Sequence, residues 1–97
     1  MTAGKLFSPG IIGPLEIRNR SIRSAGFEGM CPGGFPSDSL VNYHRSVAHG
    51  GIGMTTVAYV SVTNSGRTFN HQAWMHPEAV PHFKKLTDAV HSEGAAA

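Results

Sequence analysis

Ninety-seven residues, 40 % apolar and 14 % charged, exclude a disordered segment and leave a chain able to bury only about 60 to 65 % of its unfolded surface. The formal charge of +2, from eight Lys and Arg against six Asp and Glu, is spread too thinly for a nucleic-acid face; Arg18, Arg20 and Arg23 come nearest to a cluster. One cysteine, Cys31, excludes an internal disulfide and fits a reducing compartment, and no apolar run suits a signal peptide or a bilayer crossing, so the expected location is cytoplasmic.

In chain order, "LFSPGIIGPLEI" from Leu6 to Ile17 mixes Gly and Pro with short apolar pieces. Pro9 and Pro14 fix the backbone while Gly10 and Gly13 relax it, which predicts turns with one or two short strands. In "NRSIRSAGF", residues 20–25 are expected to form a strand that opens into the Gly-rich loop "GFEGMCPGGF". The period then changes. In "PSDSLVNYHRSVAHGG", Ser37 or Asp38 caps a predicted helix whose apolar residues Leu40, Tyr43, Val47 and Ala48 recur at steps of three and four. Gly50 and Gly51 end it, with His49 at the negative end of its dipole.

Ile52 to Val62, within "GIGMTTVAYVSV", is a nearly continuous β-branched and apolar run that predicts a parallel strand covered on both faces. "TNSGRTFNHQAWMHP" fits neither period and is expected to be a loop carrying Arg67, Phe69 and Trp74. "PEAVPHFKKLTDAVHSEG" predicts a second helix burying Val80, Phe83, Leu86 and Val90, with Pro81 in its first turn and Gly94 at its C-terminal cap. Strand, helix, strand and helix in that order demand a parallel sheet with crossover connections. Ala95 to Ala97 stand where a third strand begins. A sheet of two parallel strands leaves both edges open, so the order reads as an α/β chain cut short or, alternatively, as a complete small α/β domain.

Ligands of α/β proteins sit at the C-terminal ends of parallel strands, which here means "SAGFEG" and "AYVSV". Ser24, Ala25 and Gly26 are small enough for a flat ligand to approach the backbone; the same residues also suit a tight turn. "GGIG" follows a helix and precedes a strand, the reverse of the dinucleotide fingerprint, and reads as a cap and turn. The histidines lack the HExxH spacing and the lone cysteine removes thiolate frameworks, so no metal is expected, although His71 and His76 share a loop with Asn70, Gln72 and Glu78. Cys31 becomes reactive only if its pKa is lowered, and Glu28 nearby works in the opposite direction.

"LFSP", "IGPLEIRNR", "NYHR", "HGGIGMTTVAYVSVTNSGR" and "LTDAVHSEG", in this order and spacing over residues 5–97, resemble the opening of the NADH:flavin oxidoreductase, or Old Yellow Enzyme, family. The resemblance implies an eight-stranded (β/α)8 TIM barrel, here its first two strand-helix units with an N-terminal hairpin, as one incomplete barrel domain over residues 1–97. It implies an FMN enzyme that passes hydride from NAD(P)H through the flavin to an activated alkene or related small-molecule acceptor. By the same resemblance, Ser24, Ala25, Gly26 and Phe27 after the first strand, and Ala58 and Tyr59 at the end of the second, border the flavin.

Arg18 and Arg20, in a hairpin closing the barrel bottom, become structural rather than catalytic. Two residues depart from the family pattern: Phe27 stands where many relatives have Thr or Cys, and Tyr59 where they often have Ala or Gly. The family's flavin-pyrimidine glutamine, its acceptor-binding His/His or His/Asn pair, its proton-donating tyrosine and its phosphate site belong to later strands. The resemblance therefore implies no catalytic residue among these 97 and an isolated chain without turnover. A reading of a different class is a non-catalytic structural or protein-binding module that self-associates through open sheet edges; binding of nucleic acid through Arg18, Arg20 and Arg23 is a weaker third.

Overall fold

A computed structural model describes residues 4–97; residues 1–3 of the expected domain lie outside the described residues. β1 (Gly10–Ile12) and β2 (Leu15–Ile17) pair antiparallel as the expected hairpin. Gly13, at φ +56, makes its turn, a conformation that would strain any residue with a Cβ. β3 (Ile22–Arg23) follows and pairs in parallel with β4 (Met54–Thr55), with α1 (Asp38–His49) between them. β5 (Val60–Ser61) pairs in parallel with β6 (Ala73–Trp74), and α2 (Val80–Ser92) comes last. Ala96 then bridges Met54 in parallel, so a third chain segment joins the sheet where the alanines were expected to start one. The result is two strand-helix units of a barrel with an open, unclosed sheet.

Both helices begin and end by the expected chemistry. Ser37 caps α1 by accepting from Leu40 N at 3.3 Å, and its hydroxyl donates to Met30 O at 2.6 Å. Pro81 lies in the first turn of α2, and Gly94 at φ +86 reverses the chain so that Ala95 N donates back to Val90 O. The core lies between these helices and the strands: Leu40, Val41 and Ala48 from α1 meet Leu86, Ala89 and Val90 from α2, with Cys31, Ala73 and Ala95.

The structure corrects four expectations. Tyr43 was expected on the buried face of α1, but it is exposed and His44 is fully buried in its stead. Apolar spacing cannot detect a polar residue whose partners are supplied by other elements. Val80 is exposed because the chain enters α2 through a 3-10 turn at Pro77–Ala79, where Ala79 takes the buried place. The strand expected over 52–62 is split into β4 and β5, since Tyr59 adopts φ 55 and an extended strand cannot pass through that conformation. Finally, the loop expected over 63–77 contains β6 and buries Gln72 and Ala73. Met75 N donates to Ser61 O at 2.8 Å and Cys31 N to His71 O at 2.9 Å, so backbone pairing with distant segments, not local period, orders this stretch.

Arg18 and Arg20 are structural, as expected. Arg18 donates to Ala48 O at the end of α1, to Ile52 O before β4 and to Glu93 O after α2, tying together three carbonyls at helix ends and turns. Arg20 donates to Pro9 O at 3.2 Å and holds the hairpin. The chain is elongated, with a radius of gyration of 14.5 Å against about 13 Å for a compact chain of 100 residues. In the hairpin Ile11, Ile12 and Leu15 stay exposed. Among the described residues no helix is long and apolar enough to cross a membrane.

Candidate functional site

The segment leaving the C-terminal end of β3 carries Ser24, Ala25, Gly26 and Phe27, all exposed. A Cβ built on Gly26 would meet only Arg23 Nη2, at 3.9 Å, so the backbone there is open to a ligand. Beyond β4, Ala58 is buried and Tyr59 is 55 % exposed. The fold brings Phe27 and Tyr59 together: their rings stack at 5.3 Å between centroids, and Phe69 packs on the other contact of Phe27 at 4.5 Å. Phe27, Gly29, Thr68, Phe69, Asn70 and His71 line an open cavity of about 510 Å³. An exposed run of small residues beside an aromatic wall fits one side of a flat, partly apolar ring system such as FMN. Sequence reading missed the part played by Phe69 and His71, because the loop that brings them to Phe27 is ordered by the pairing of β5 with β6.

Tyr59 holds its place at a cost. A residue with a Cβ in the left-handed region is disfavoured by about 1 to 2 kcal/mol. Tyr59→Gly is therefore expected to be more stable than Tyr59→Ala by about 1 kcal/mol in urea unfolding, since both lose the ring and only glycine relieves the backbone. Equal midpoints for the two variants would show that the backbone has another way to relax.

Behind this surface lies a polar chain that periodicity gave no reason to seek. The Glu28 side chain is 5 % exposed, and its Oε1 lies 3.2 Å from both Arg23 Nη1 and His44 Nε2. His44 Nδ1 lies 2.7 Å from Thr55 Oγ1 in β4, and Arg23 Nη1 also donates to Thr56 O at 2.9 Å. The Arg23 guanidinium sits 5.0 Å from the centre of the Tyr43 ring, which accounts for that exposed aromatic. Burial pushes the His44 pKa down, the Glu28 carboxylate opposes that and Arg23 adds to it; the net shift is downward. His44 is then neutral at pH 7. A carboxylate only accepts, so Nε2 carries the proton and donates to Glu28, leaving Nδ1 to accept from the Thr55 hydroxyl.

That shift has a sign in pH. The folded state binds the His44 proton less readily than the unfolded state, whose pKa is about 6.5. The stability it contributes is complete above that value and is lost as pH falls from there through the depressed native pKa. The protein is expected to unfold at lower urea at pH 5 than at pH 7.5, with the difference reduced in His44→Gln; an undiminished difference would place the titration elsewhere. Asp38 does not interfere, because the Lys85 ammonium, 2.7 Å away, holds its carboxyl lower than the usual carboxylate range.

The remaining candidates are quieter. Burial, reinforced by Glu28, pushes the Cys31 thiol up to about 11, so it is not a nucleophile at neutral pH. His76 stacks on Trp74 at 4.0 Å and donates from Nδ1 to Trp74 O, whereas His71 is exposed at the cavity. His49 pairs with Glu93 at 3.0 Å on the surface. Among the described residues no cluster of His, Cys, Asp and Glu is suited to a metal ion.

The model of the NADH:flavin oxidoreductase / NADH oxidase family matches residues 5–97. The chain is 49 % identical over 92 residues to a 4,4'-dithiodibutanoate disulfide reductase of Rhodococcus erythropolis, covering 95 % of this chain and 23 % of that protein. It is 34 % identical to a metal reductase of Desulforamulus reducens, covering 93 % of this chain and 14 % of the relative. Among solved structures, a 2-naphthoyl-CoA reductase in complex with 2-naphthoyl-CoA superposes with a TM-score of 0.88 at 29 % identity, over 94 % of this chain and 14 % of that one. Old Yellow Enzyme from Pichia sp. AKU4542 gives 0.85 at 20 % identity, over 94 % and 24 % of the two chains, a likeness of fold. The chain thus spans less than a quarter of the length of each of these relatives.

Proposed function

Because the chain belongs to the NADH:flavin oxidoreductase / NADH oxidase family, we propose that it forms the N-terminal, flavin-facing part of an FMN- and NAD(P)H-dependent oxidoreductase barrel. The observation that carries this reading is the meeting of the ends of β3 and β4 at one exposed surface, where Phe27 stacks on Tyr59 beside the open backbone of Ser24 to Gly26. FMN, when bound, supplies the relay of hydride from the nicotinamide to the acceptor. The residues of this chain bind and orient. Ser24, Ala25 and Gly26 leave room for the ring to approach the backbone, the aromatic pair shields one side from water, and Ala58 is buried beside Tyr59 in the chain. No group on this surface is assigned a proton transfer. The exposed Ile22 of β3, with Ile11 and Ile12 of the hairpin, would be covered by further parts of the barrel.

The acceptor is proposed as an activated alkene or a related two-electron acceptor. The 49 % identical disulfide reductase adds an organic disulfide to the classes worth testing. In the full-length protein carrying this chain, we expect a yellow flavin spectrum that bleaches with NADH or NADPH without oxygen and returns on adding an enone or 4,4'-dithiodibutanoate. A protein that takes up no FMN, or whose flavin neither nucleotide reduces, would overturn the reading.

A further inference from the structure

We propose that Glu28 and His44 are positioning residues that hold the segment Ser24 to Phe27 in its flavin-facing shape, an inference that rests on the FMN reading above. That segment has little backbone support of its own: among the described residues, none of the loop and turn backbone hydrogen bonds involves residues 24–29. It is fixed at one end by the pairing of β3 with β4, and at the other by Ser37, which donates to Met30 O, and by Cys31 N, which donates to His71 O. Between those ends the anchored side chain is Glu28, with Arg23 and His44 each 3.2 Å from the same carboxylate oxygen.

The anchor is rigid because each member is held by a different element. His44 is fully buried on α1 and accepts from Thr55 Oγ1 in β4, whose N–H donates to Ala96 O. Arg23 belongs to β3 and is held by Thr56 O. A swing of Glu28 out of this chain would leave a buried imidazole N–H without an acceptor and would drag its neighbour Phe27 off Tyr59 and Phe69. A surface loop lacking backbone bonds otherwise opens locally at little cost. Packing behind a site in this manner keeps binding groups within the tolerance that a bound ring needs.

The imidazole separates this role from general stability. His44→Asn keeps a polar atom near the Nδ1 position for Thr55 and removes the donor to Glu28, whereas His44→Gln restores an amide N–H near the Nε2 position. In the full-length protein, His44→Asn is expected to raise the Kd for FMN about tenfold, as befits one lost hydrogen bond to a charged group. Chymotryptic cleavage after Phe27 of the FMN-free protein should quicken with it, since a protease needs the segment to open away from its anchor, and His44→Gln should return both readouts to near the wild-type values. Should His44→Asn fail to fold, Glu28→Gln weakens the same two contacts with no change of shape and is expected to speed cleavage at the same bond. Cleavage after Phe27 unchanged in the variants, or equal FMN affinity for the Asn and Gln forms, would overturn the proposal. A wild-type protein that takes up no FMN would instead sink the FMN reading, and cleavage would then decide by itself whether the anchor holds the segment.

Discussion

Glu28→Ala is expected to destabilise the protein by about 3 to 5 kcal/mol, the range for breaking a buried pair by removing one partner. The carboxylate is 5 % exposed, Arg23 is 19 % exposed and His44 is fully buried, so the two groups left behind cannot both recover their bonds in water. Removal strands the His44 Nε2 proton and leaves Arg23 with the Thr56 carbonyl as its acceptor. Total stabilities of about 5 to 15 kcal/mol make such a loss a large fraction of the whole. Urea unfolding at pH 7.5 would show it as a lower midpoint at unchanged slope; a loss under about 1 kcal/mol would mean that water replaces the carboxylate freely, at the level of an exposed pair.

Gly53→Ala should cost about 3 kcal/mol, through overpacking rather than lost charge. Gly53 is buried where the sheet is tightest. An added Cβ would collide with the Asn19 carbonyl oxygen and lie 2.9 Å from both Asn19 Oδ1 and Ser21 O. Those neighbours cannot step aside. Ser21 O accepts from Gly53 N at 3.1 Å, and Gly53 O accepts from Ala96 N at 3.0 Å, so a shift of this residue loosens β3 and the Ala96 bridge together. Asn19 is held in turn by its donation to Gly51 O at 2.7 Å. Thermal unfolding would reveal the loss, and Gly51→Ala provides a contrast: at φ +107 with open space around it, that change strains the backbone without a collision. A Gly53→Ala protein as stable as wild type would show that the strands can part here without penalty.

The fates of Gly53 and Glu28 mark how far the chain could be read unaided. "GGIG" was legible as cap and turn because glycine after a helix has a local cause. That Gly53 must lack a side chain has none: the colliding atoms belong to Asn19 and Ser21, more than 30 positions earlier, and only pairing of β3 with β4 brings them close. In the same way, Ser37, Pro81 and Gly94 announced the helix ends, since caps act within one turn. Tyr43 and His44 were exchanged because a helical period weighs hydrophobicity, and the burial of His44 is compensated by Glu28 and Thr55 on other elements.

By itself the sequence determined the hairpin, the order of first strand, helix, β-branched run and second helix, the helix limits, the parallel sheet, the family, and the structural use of Arg18 and Arg20. These rest on local period, on capping chemistry and on motifs in fixed order, all of which are written along one stretch of chain. Tertiary structure alone decided the break at Tyr59, the strand within the loop after it, the contact of Phe27 with Tyr59 and Phe69, and the buried carboxylate and imidazole behind them. Each of those depends on atoms distant in sequence meeting at van der Waals or hydrogen-bond range, and the energy that selects them exists only once the sheet has brought the segments together.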